Sequence, residues 1–352
     1  MQRRSRRVQT ALLVVVAAGC FLLGVRLLGS ASTTLAPTLG PLLRRAIRGP
    51  ASALGVGWVL TYGALNGSVV AAVAVTLNDS GLLPSSELFA AIVGSRFGAS
   101  AVVILLGLAE YVQERSFSLR DATSLGVLSA VVTFAVYGPV ALVGLAGFAT
   151  GDPTAPISRG VPQFVAMERD PSATLVAEIV DAVGPVVGFA LAIGLVLGSF
   201  RLFDRILAAA DTDRFRDRVG PLLGRPALSA LVGFGVTFVT TSVAFSVGVL
   251  VPLYNRGFFE RDELVPYLLG ASVGTLGDTL LVAVVLGSPV GIATVVLAML
   301  ASGLVSIAAL ATGGRFTRSV CRLETAIRVE KRNYVAFVLF LLAAPTVLVL
   351  FG

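Results

Sequence analysis

The sequence predicts an all-α, polytopic integral membrane protein with two inverted-topology repeats and discontinuous or re-entrant helices. Three observations predict it. The composition is strongly apolar, nine stretches are apolar over roughly the length that crosses a bilayer, and one segment of the chain recurs at a constant offset.

Of 352 residues, 56% are hydrophobic and only 13% charged, against about 25% charged in soluble domains. The mean hydropathy is +0.90, so lipid must solvate much of the surface. The 38 glycines suit closely packed membrane helices. The net charge of +7 comes mainly from arginines clustered between apolar stretches, a pattern that controls topology and does not make a nucleic-acid patch. With no histidine and two cysteines, histidine acid–base chemistry and His/Cys metal sites are excluded. No nucleophile motif or phosphate loop is present either, so an enzyme, a metal centre and a cofactor are not expected. Cys20 falls in the first apolar stretch and Cys321 in a basic segment, which argues against a disulfide. Ala18-Gly19-Cys20 faintly resembles a lipoprotein cleavage box, but the apolar run continues through Phe21, Leu22 and Leu23, as in a retained helix.

A crossing needs about 20 apolar residues. The candidates are Thr10–Gly29, Leu54–Leu77, Leu88–Glu110, Ser124–Thr150, Thr174–Phe200, Leu228–Leu253, Val265–Leu286, Val290–Ala311 and Tyr334–Phe351. Unpaired backbone groups are costly in lipid, so these are expected to be helices. Arg3, Arg4, Arg6 and Arg7 place the N-terminus in the cytoplasm of a multi-pass cell-membrane protein. The segments around Arg201–Arg225 and Arg315–Arg332 also read as cytoplasmic, and Gly151–Pro171 as external; Arg44, Arg45 and Arg48 run against this scheme. Three apolar segments lie between the basic stretches at Arg225 and Arg315, yet an even number of crossings is required. One of them is therefore expected to be re-entrant, and likewise one of Leu54–Leu77 and Leu88–Glu110.

Residues Gly57–Ser100 align without gaps onto Gly233–Leu276 at an offset of 176, with ten identities. They include Gly57/Gly233, Thr61/Thr237, Glu87/Glu263, Gly94/Gly270 and Gly98/Gly274. Gly40-Pro41-Leu42-Leu43 and Gly220-Pro221-Leu222-Leu223 precede the two copies. So long a period indicates a duplicated multi-helix unit. The expected organisation is an N-terminal transmembrane helix (1–30), a first repeat (31–200), a cytoplasmic basic linker (201–226) and a second repeat (227–352). By the charge pattern the first copy starts outside and the second inside, an inverted arrangement typical of alternating-access transporters with a midplane site on broken helices.

Each copy carries a glycine, three residues, a threonine, a small polar run, an apolar stretch, a Gly-Leu-Leu or Gly-Phe-Phe turn and a glycine-rich signature. The signatures are Gly94-Ser95-Arg96-Phe97-Gly98-Ala99-Ser100 and Gly270-Ala271-Ser272-Val273-Gly274-Thr275-Leu276. This pattern resembles the sodium–phosphate cotransporter family (type II). The chain departs from it where a Gln-Ser-Ser-Ser motif should stand: it has Leu65-Asn66-Gly67-Ser68 and Thr241-Ser242-Val243-Ala244. The resemblance implies a sodium ion and a small inorganic anion as ligands, held by the motif residues.

The residues then divide by chemistry. Asn66, Gly67, Ser68, Arg96, Thr241, Ser242 and Ser272 are the candidate substrate-binding set. Thr61, Thr237, Thr240, Ser246, Thr275 and Asp278 are the candidate ion-binding set, because sodium takes oxygen ligands and anions take backbone N–H groups or arginine. Ser, Thr and Gly also serve as ordinary packing residues in membrane helices. Arg96 stands in an apolar stretch, where an unpartnered charge is costly. It is expected to bind an anion, to pair with Asp278, or to snorkel to the interface. Asp278 is alternatively a sodium or proton site. Glu178 and Asp181 sit near the external end of a stretch, and Tyr137-Gly138-Pro139 and Gly184-Pro185 are candidate kinks or hinges. The expected function is secondary active transport, a sodium-coupled symport of phosphate or a related anion. The alternative is a duplicated scaffold that lost coupled transport and acts as a structural or regulatory partner, with oligomeric state unspecified.

Overall fold

The structure, a computed structural model, describes residues 2–113, 123–161, 173–208, 221–241, 243–248, 250–255 and 258–352. Among them every regular element is helical. Among the described residues seven helical runs, one of them Arg261–Val285 with a turn inside it, are long and apolar enough to cross a membrane, which makes this an all-α membrane protein.

Helix α1 (Gln2–Ala46) runs for 45 residues and does not stop at Gly29 or at the expected boundary near residue 30. Pro37 and Pro41 are absorbed within it, and Arg44 and Arg45 fill its last turn, where cations complement the helix dipole. It packs along α7 (Ala173–Val183) and α8 (Pro185–Ala208). A side chain at Gly24 would press on Val196 of α8, so glycine sets this close approach. The expected Thr174–Phe200 span is broken at Gly184, with φ +82, and Pro185 opens α8, a position where its missing N–H costs nothing. The expected linker begins inside α8, and residues 209–220, with Arg214, Arg216, Arg218 and Gly220, lie outside the described residues.

The Leu54–Leu77 and Leu228–Leu253 stretches, each read as one apolar span, are hairpins of short helices. The first comprises α2 (Pro50–Ala64) and α3 (Gly67–Asp79), of 15 and 13 residues. At 1.5 Å per residue each is about 20 Å long, short of the roughly 30 Å hydrocarbon core. Pro50 opens α2, and the Ser52 hydroxyl accepts the backbone N–H groups of Arg48 and Gly49. Leu65 then turns left-handed at φ 52, and the Asn66 side chain caps α3 by accepting from the N–H groups of Ser68 and Val69. The second hairpin comprises α9 (Pro226–Thr240), α10 (Val243–Gly248) and α11 (Leu250–Asn255), with Thr241 left-handed at φ 53.

The long partner of the first hairpin is α4 (Ser85–Gln113); that of the second is α12 (Arg261–Gly274) followed, after a turn at Thr275 and Leu276, by α13 (Gly277–Val285). The helix starts at Pro50, Gly67 and Ser85 recur at Pro226, Val243 and Arg261, the same spacing as the sequence offset. The packing recurs too. A side chain on Gly57, Gly94 or Gly98 would run into the carbonyls of Ala91, Leu54 or Trp58; on Gly233, Gly270 or Gly274 it would run into those of Tyr267, Ala230 or Phe234. These are the same positions in both copies. Leu54 meets Gly94 and Trp58 meets Gly98, so α2 and α4 run in the same direction and α3 returns the chain between them.

The remaining elements are α5 (Ser124–Thr150), the short α6 (Ala155–Arg159), α14 (Pro289–Ala311), the amphipathic α15 (Arg315–Val329) and α16 (Lys331–Phe351). Pro139 lies inside α5 without ending it. Trp58, Phe97, Phe134 and Phe340 pack edge and face across α2, α4, α5 and α16, with Phe97 and Phe134 stacked at 4.7 Å. Tyr62 accepts from Trp58 Nε1 and donates to the Leu341 carbonyl, fastening α16 to α2. Elsewhere Glu324 of α15, wholly buried, accepts from Ser124 at 2.7 Å, Arg261 at 2.8 Å and Arg328 at 3.1 Å. That carboxylate joins the starts of α5 and α12 to α15.

Candidate functional site

Arg96 sits in α4, 2% exposed, beside the breaks of both repeats. Its Nη1 donates to the Thr275 carbonyl and hydroxyl, both at 2.9 Å. Its Nη2 donates to the Gly67 carbonyl at 3.1 Å, and its Nε to the Ser95 hydroxyl at 3.2 Å. Gly67 opens α3 after the first break, and Thr275 forms the turn between α12 and α13. One guanidinium therefore holds the interrupted backbone of each copy. Glycine at 67 is required because a Cβ there would press on the Ser95 carbonyl. Four of the five guanidinium N–H groups are engaged, so the buried charge is solvated by protein oxygens. The side chain does not snorkel.

Asp278, 1% exposed, stands in the first turn of α13, where a negative charge is favoured by the free N–H groups of the helix start. It accepts from the Ser68 hydroxyl in the first turn of α3 and from the Thr279 hydroxyl at 2.8 Å. The expected Arg96–Asp278 ion pair is not formed: the guanidinium reaches carbonyls and Asp278 reaches hydroxyls. They remain opposite charges within one buried cluster, linked through adjacent residues at each break (Gly67 with Ser68, Thr275 with the start of α13). The starts of α3 and α13 thus converge with one arginine and one carboxylate between them.

Two cavities flank this cluster. One of about 50 Å³ is lined by Asn66, Ser68, Arg96, Thr241 and Thr275, together with Phe200 and Asp204 of α8. The other, about 20 Å³, is lined by Arg96, Ser129, Thr133, Tyr137, Ser272 and Thr275. Arg96 and Thr275 line both and so stand between them. Polar walls and this volume suit water or a small ion.

No family model, curated protein or solved structure matches this chain.

Of the expected substrate set, Asn66, Gly67, Ser68, Arg96 and Thr241 come together at the first cavity, and Ser272 lines the second. Ser242 lies outside the described residues. Of the expected ion set, Thr275 and Asp278 belong to the cluster. The other four do not. The Thr61 hydroxyl bonds back to the Gly57 carbonyl and that of Thr240 to the Val236 carbonyl, the ordinary i−4 bond of helical threonine. Thr237 and Ser246 bond each other at 2.5 Å, and Ser246 meets the Tyr267 hydroxyl at 2.8 Å. They tie α9, α10 and α12 together and make no bond to the arginine. The first copy has Val70 and Ala91 at the positions of Ser246 and Tyr267, so this bracing belongs to the second copy alone.

Two residues of the site escaped the sequence reading. Tyr137 is buried on α5 and donates to the Ser272 carbonyl at 2.6 Å; a phenol beside Gly138-Pro139 in an apolar stretch was the available signal. Asp204 lines the first cavity but falls within the expected linker, where an acidic residue reads as solvated. Ser272 aligns with Arg96, and Val102 with Asp278. Each copy therefore contributes one charge of the pair, and the site is complete only when both copies meet.

Proposed function

We propose that the protein is a secondary active transporter, and that it moves a small inorganic anion such as phosphate together with sodium by alternating access. The observation that carries this reading is the convergence of both repeats' helix breaks on one buried arginine, with a carboxylate from the opposite repeat beside it. An anion entering the first cavity competes with two backbone carbonyls for the Arg96 guanidinium, which also binds oxyanions through paired N–H groups. Its arrival would release the Gly67 and Thr275 backbone together, which links occupancy to movement of both hairpins. Asp278, Ser68, Thr279 and nearby backbone carbonyls supply the oxygen chemistry a sodium ion takes.

The inverted arrangement has support that does not depend on charge. Three candidate spans, in α4, α5 and α8, lie between the two hairpins. An odd number of crossings puts the hairpins on opposite sides, with the first reached from outside and the second from the cytoplasm if the arginine-rich N-terminus is cytoplasmic. The left-handed residues Leu65 and Thr241, strained conformations for side-chain-bearing residues, mark equivalent breaks in the two copies.

The test is uptake of labelled phosphate into vesicles carrying the purified protein, with an inward sodium gradient. Sodium-dependent uptake that disappears in Arg96→Gln is expected. Absence of uptake for phosphate and for other small oxyanions, with either a sodium or a proton gradient, would sink the reading and favour a scaffold without transport. The guanidinium's engagement with four protein oxygens is the observation on that side.

A further inference from the structure

A second cavity of a different character lies under α15. It encloses about 520 Å³ between α5, α15 and α16, and its walls are Phe134, Phe316, Val320, Leu323, Phe337 and Phe340, with Ser319 the one polar residue of its lining. Leu323 and Phe340 are 53% and 48% exposed, so the groove is open on one side. Helix α15 is strongly two-faced. Phe316, Val320, Leu323 and Ile327 recur at helical spacing on the groove side, while Arg315, Arg318 and Arg322 are exposed beside them. Among the described residues the guanidiniums of Arg315 and Arg322 make no hydrogen bond or ion pair, and that of Arg318 makes only a long bond to the Gly314 carbonyl. The buried partner nearby, Glu324, is already held by Arg261 and Arg328.

A helix with this division of faces lies in the membrane interface, its apolar side in the acyl region and its basic side among headgroups. The apolar slot therefore shares α15 with three exposed arginines, two of which, Arg315 and Arg322, have no protein partner among the described residues. We propose that the α5–α15–α16 groove is a binding site for one anionic phospholipid, with an acyl chain against Phe134, Phe316, Phe337 and Phe340 and the headgroup phosphate on Arg315, Arg318 and Arg322. Charge selects the occupant. A zwitterionic lipid would fill the same slot but gain less from the three arginines. The bound lipid packs α15 against α5 and α16, beside the Glu324 network that anchors α12.

The experiment is native mass spectrometry of the full chain in detergent, titrated with phosphatidylglycerol or with phosphatidylcholine of identical acyl chains. One phosphatidylglycerol should bind roughly tenfold or more tightly than phosphatidylcholine, since each arginine near an anionic headgroup contributes a factor of about five before losses to geometry. The triple variant Arg315→Gln, Arg318→Gln, Arg322→Gln alters only exposed side chains and should bind the two lipids alike. Ala135 of α5 also lines the groove, and Ala135→Trp, which fills it, should abolish the single tight site for either lipid. Equal binding of both lipids to the unmodified protein would overturn the proposal, as would charge preference surviving in the triple variant. A tight dimer in place of bound lipid, broken by Ala135→Trp, would show that a second copy covers the groove and would overturn it too.

Discussion

Replacing Arg96 by methionine tests the site most directly. The substitution keeps comparable length and apolar volume but deletes all four donated hydrogen bonds. Ser95 still bonds the Ile92 carbonyl, and the Thr275 hydroxyl can rotate to another acceptor, so the main loss falls on the carbonyls of Gly67 and Thr275. The Gly67 carbonyl opens α3 and keeps its intrahelical N–H donor, whereas the Thr275 carbonyl is left buried and unpaired, and an unsatisfied buried polar group costs about 1–3 kcal/mol. Against this, the variant no longer buries a cation, a saving of several kcal/mol in principle. That saving is offset because Asp278 then loses the positive charge of its cluster. A net loss of about 1–3 kcal/mol is the expected balance. Arg96→Lys keeps the charge but cannot span both carbonyls with a planar fork, so it should fall between methionine and the native residue. Thermal unfolding of the three proteins in one detergent measures stability, and vesicle uptake measures function. If Arg96→Met unfolded at the native temperature and transported normally, the two breaks would not depend on the guanidinium and the site would be misassigned.

Other substitutions probe separate parts of the argument. Asp278→Asn keeps hydrogen-bonding capacity toward Ser68 and Thr279 while removing the charge; uptake should lose its dependence on the sodium gradient, whereas uptake with unchanged sodium dependence would remove Asp278 from the coupling site. Gly57→Ala and Gly233→Ala each force a Cβ onto a facing carbonyl and should destabilise by similar amounts, about 1–3 kcal/mol, while Gly63→Ala, with open space around it, should be neutral by the same melting assay. Glu324→Gln removes the carboxylate between Arg261 and Arg328; because those arginines are 30% and 17% exposed, the loss should be below the roughly 3–5 kcal/mol of a fully buried pair. Topology is read by single cysteines introduced as Ser158→Cys and Gly313→Cys in a chain with Cys20 and Cys321 replaced: an impermeant thiol reagent should label the first from outside and the second only after permeabilisation, and labelling of both from one side would refute the inverted arrangement.

Much of the membrane architecture is written in local chemistry. Stretches such as Ser124–Thr150 and Lys331–Phe351 are helices because lipid leaves their backbone no other partner, and their composition alone reveals them. Gly57, Gly94 and Gly98 announced close packing, and their recurrence at Gly233, Gly270 and Gly274 announced that it occurs twice. The parity of basic segments required one re-entrant unit per half. Which stretch folds back was legible only in part: Asn66-Gly67 is a turn signal beside Leu65, whereas Thr241 stands among Thr and Ser residues with none as strong. A leucine and a threonine adopt left-handed backbone there only because the surrounding helices hold them.

The same division runs through the site. Arg96 and Asp278 stood out as charges in apolar surroundings, a property of the one-dimensional chain. That Arg96 reaches Thr275, while Asp278 reaches Ser68, is decided by the docking of one repeat on the other; Arg96 meets Gly67 within the first repeat, where α3 packs on α4. Thr61, Thr237, Thr240 and Ser246 matched the ligand chemistry as well as Thr275 did, yet their hydroxyls turn to nearby carbonyls, phenols or one another. Residue type and spacing determined that the chain enters lipid, forms helices and duplicates its packing, since these follow from solvation and from the room glycine leaves. Only the tertiary structure decided which polar groups meet, because contacts between residues nearly two hundred positions apart depend on how whole helices dock.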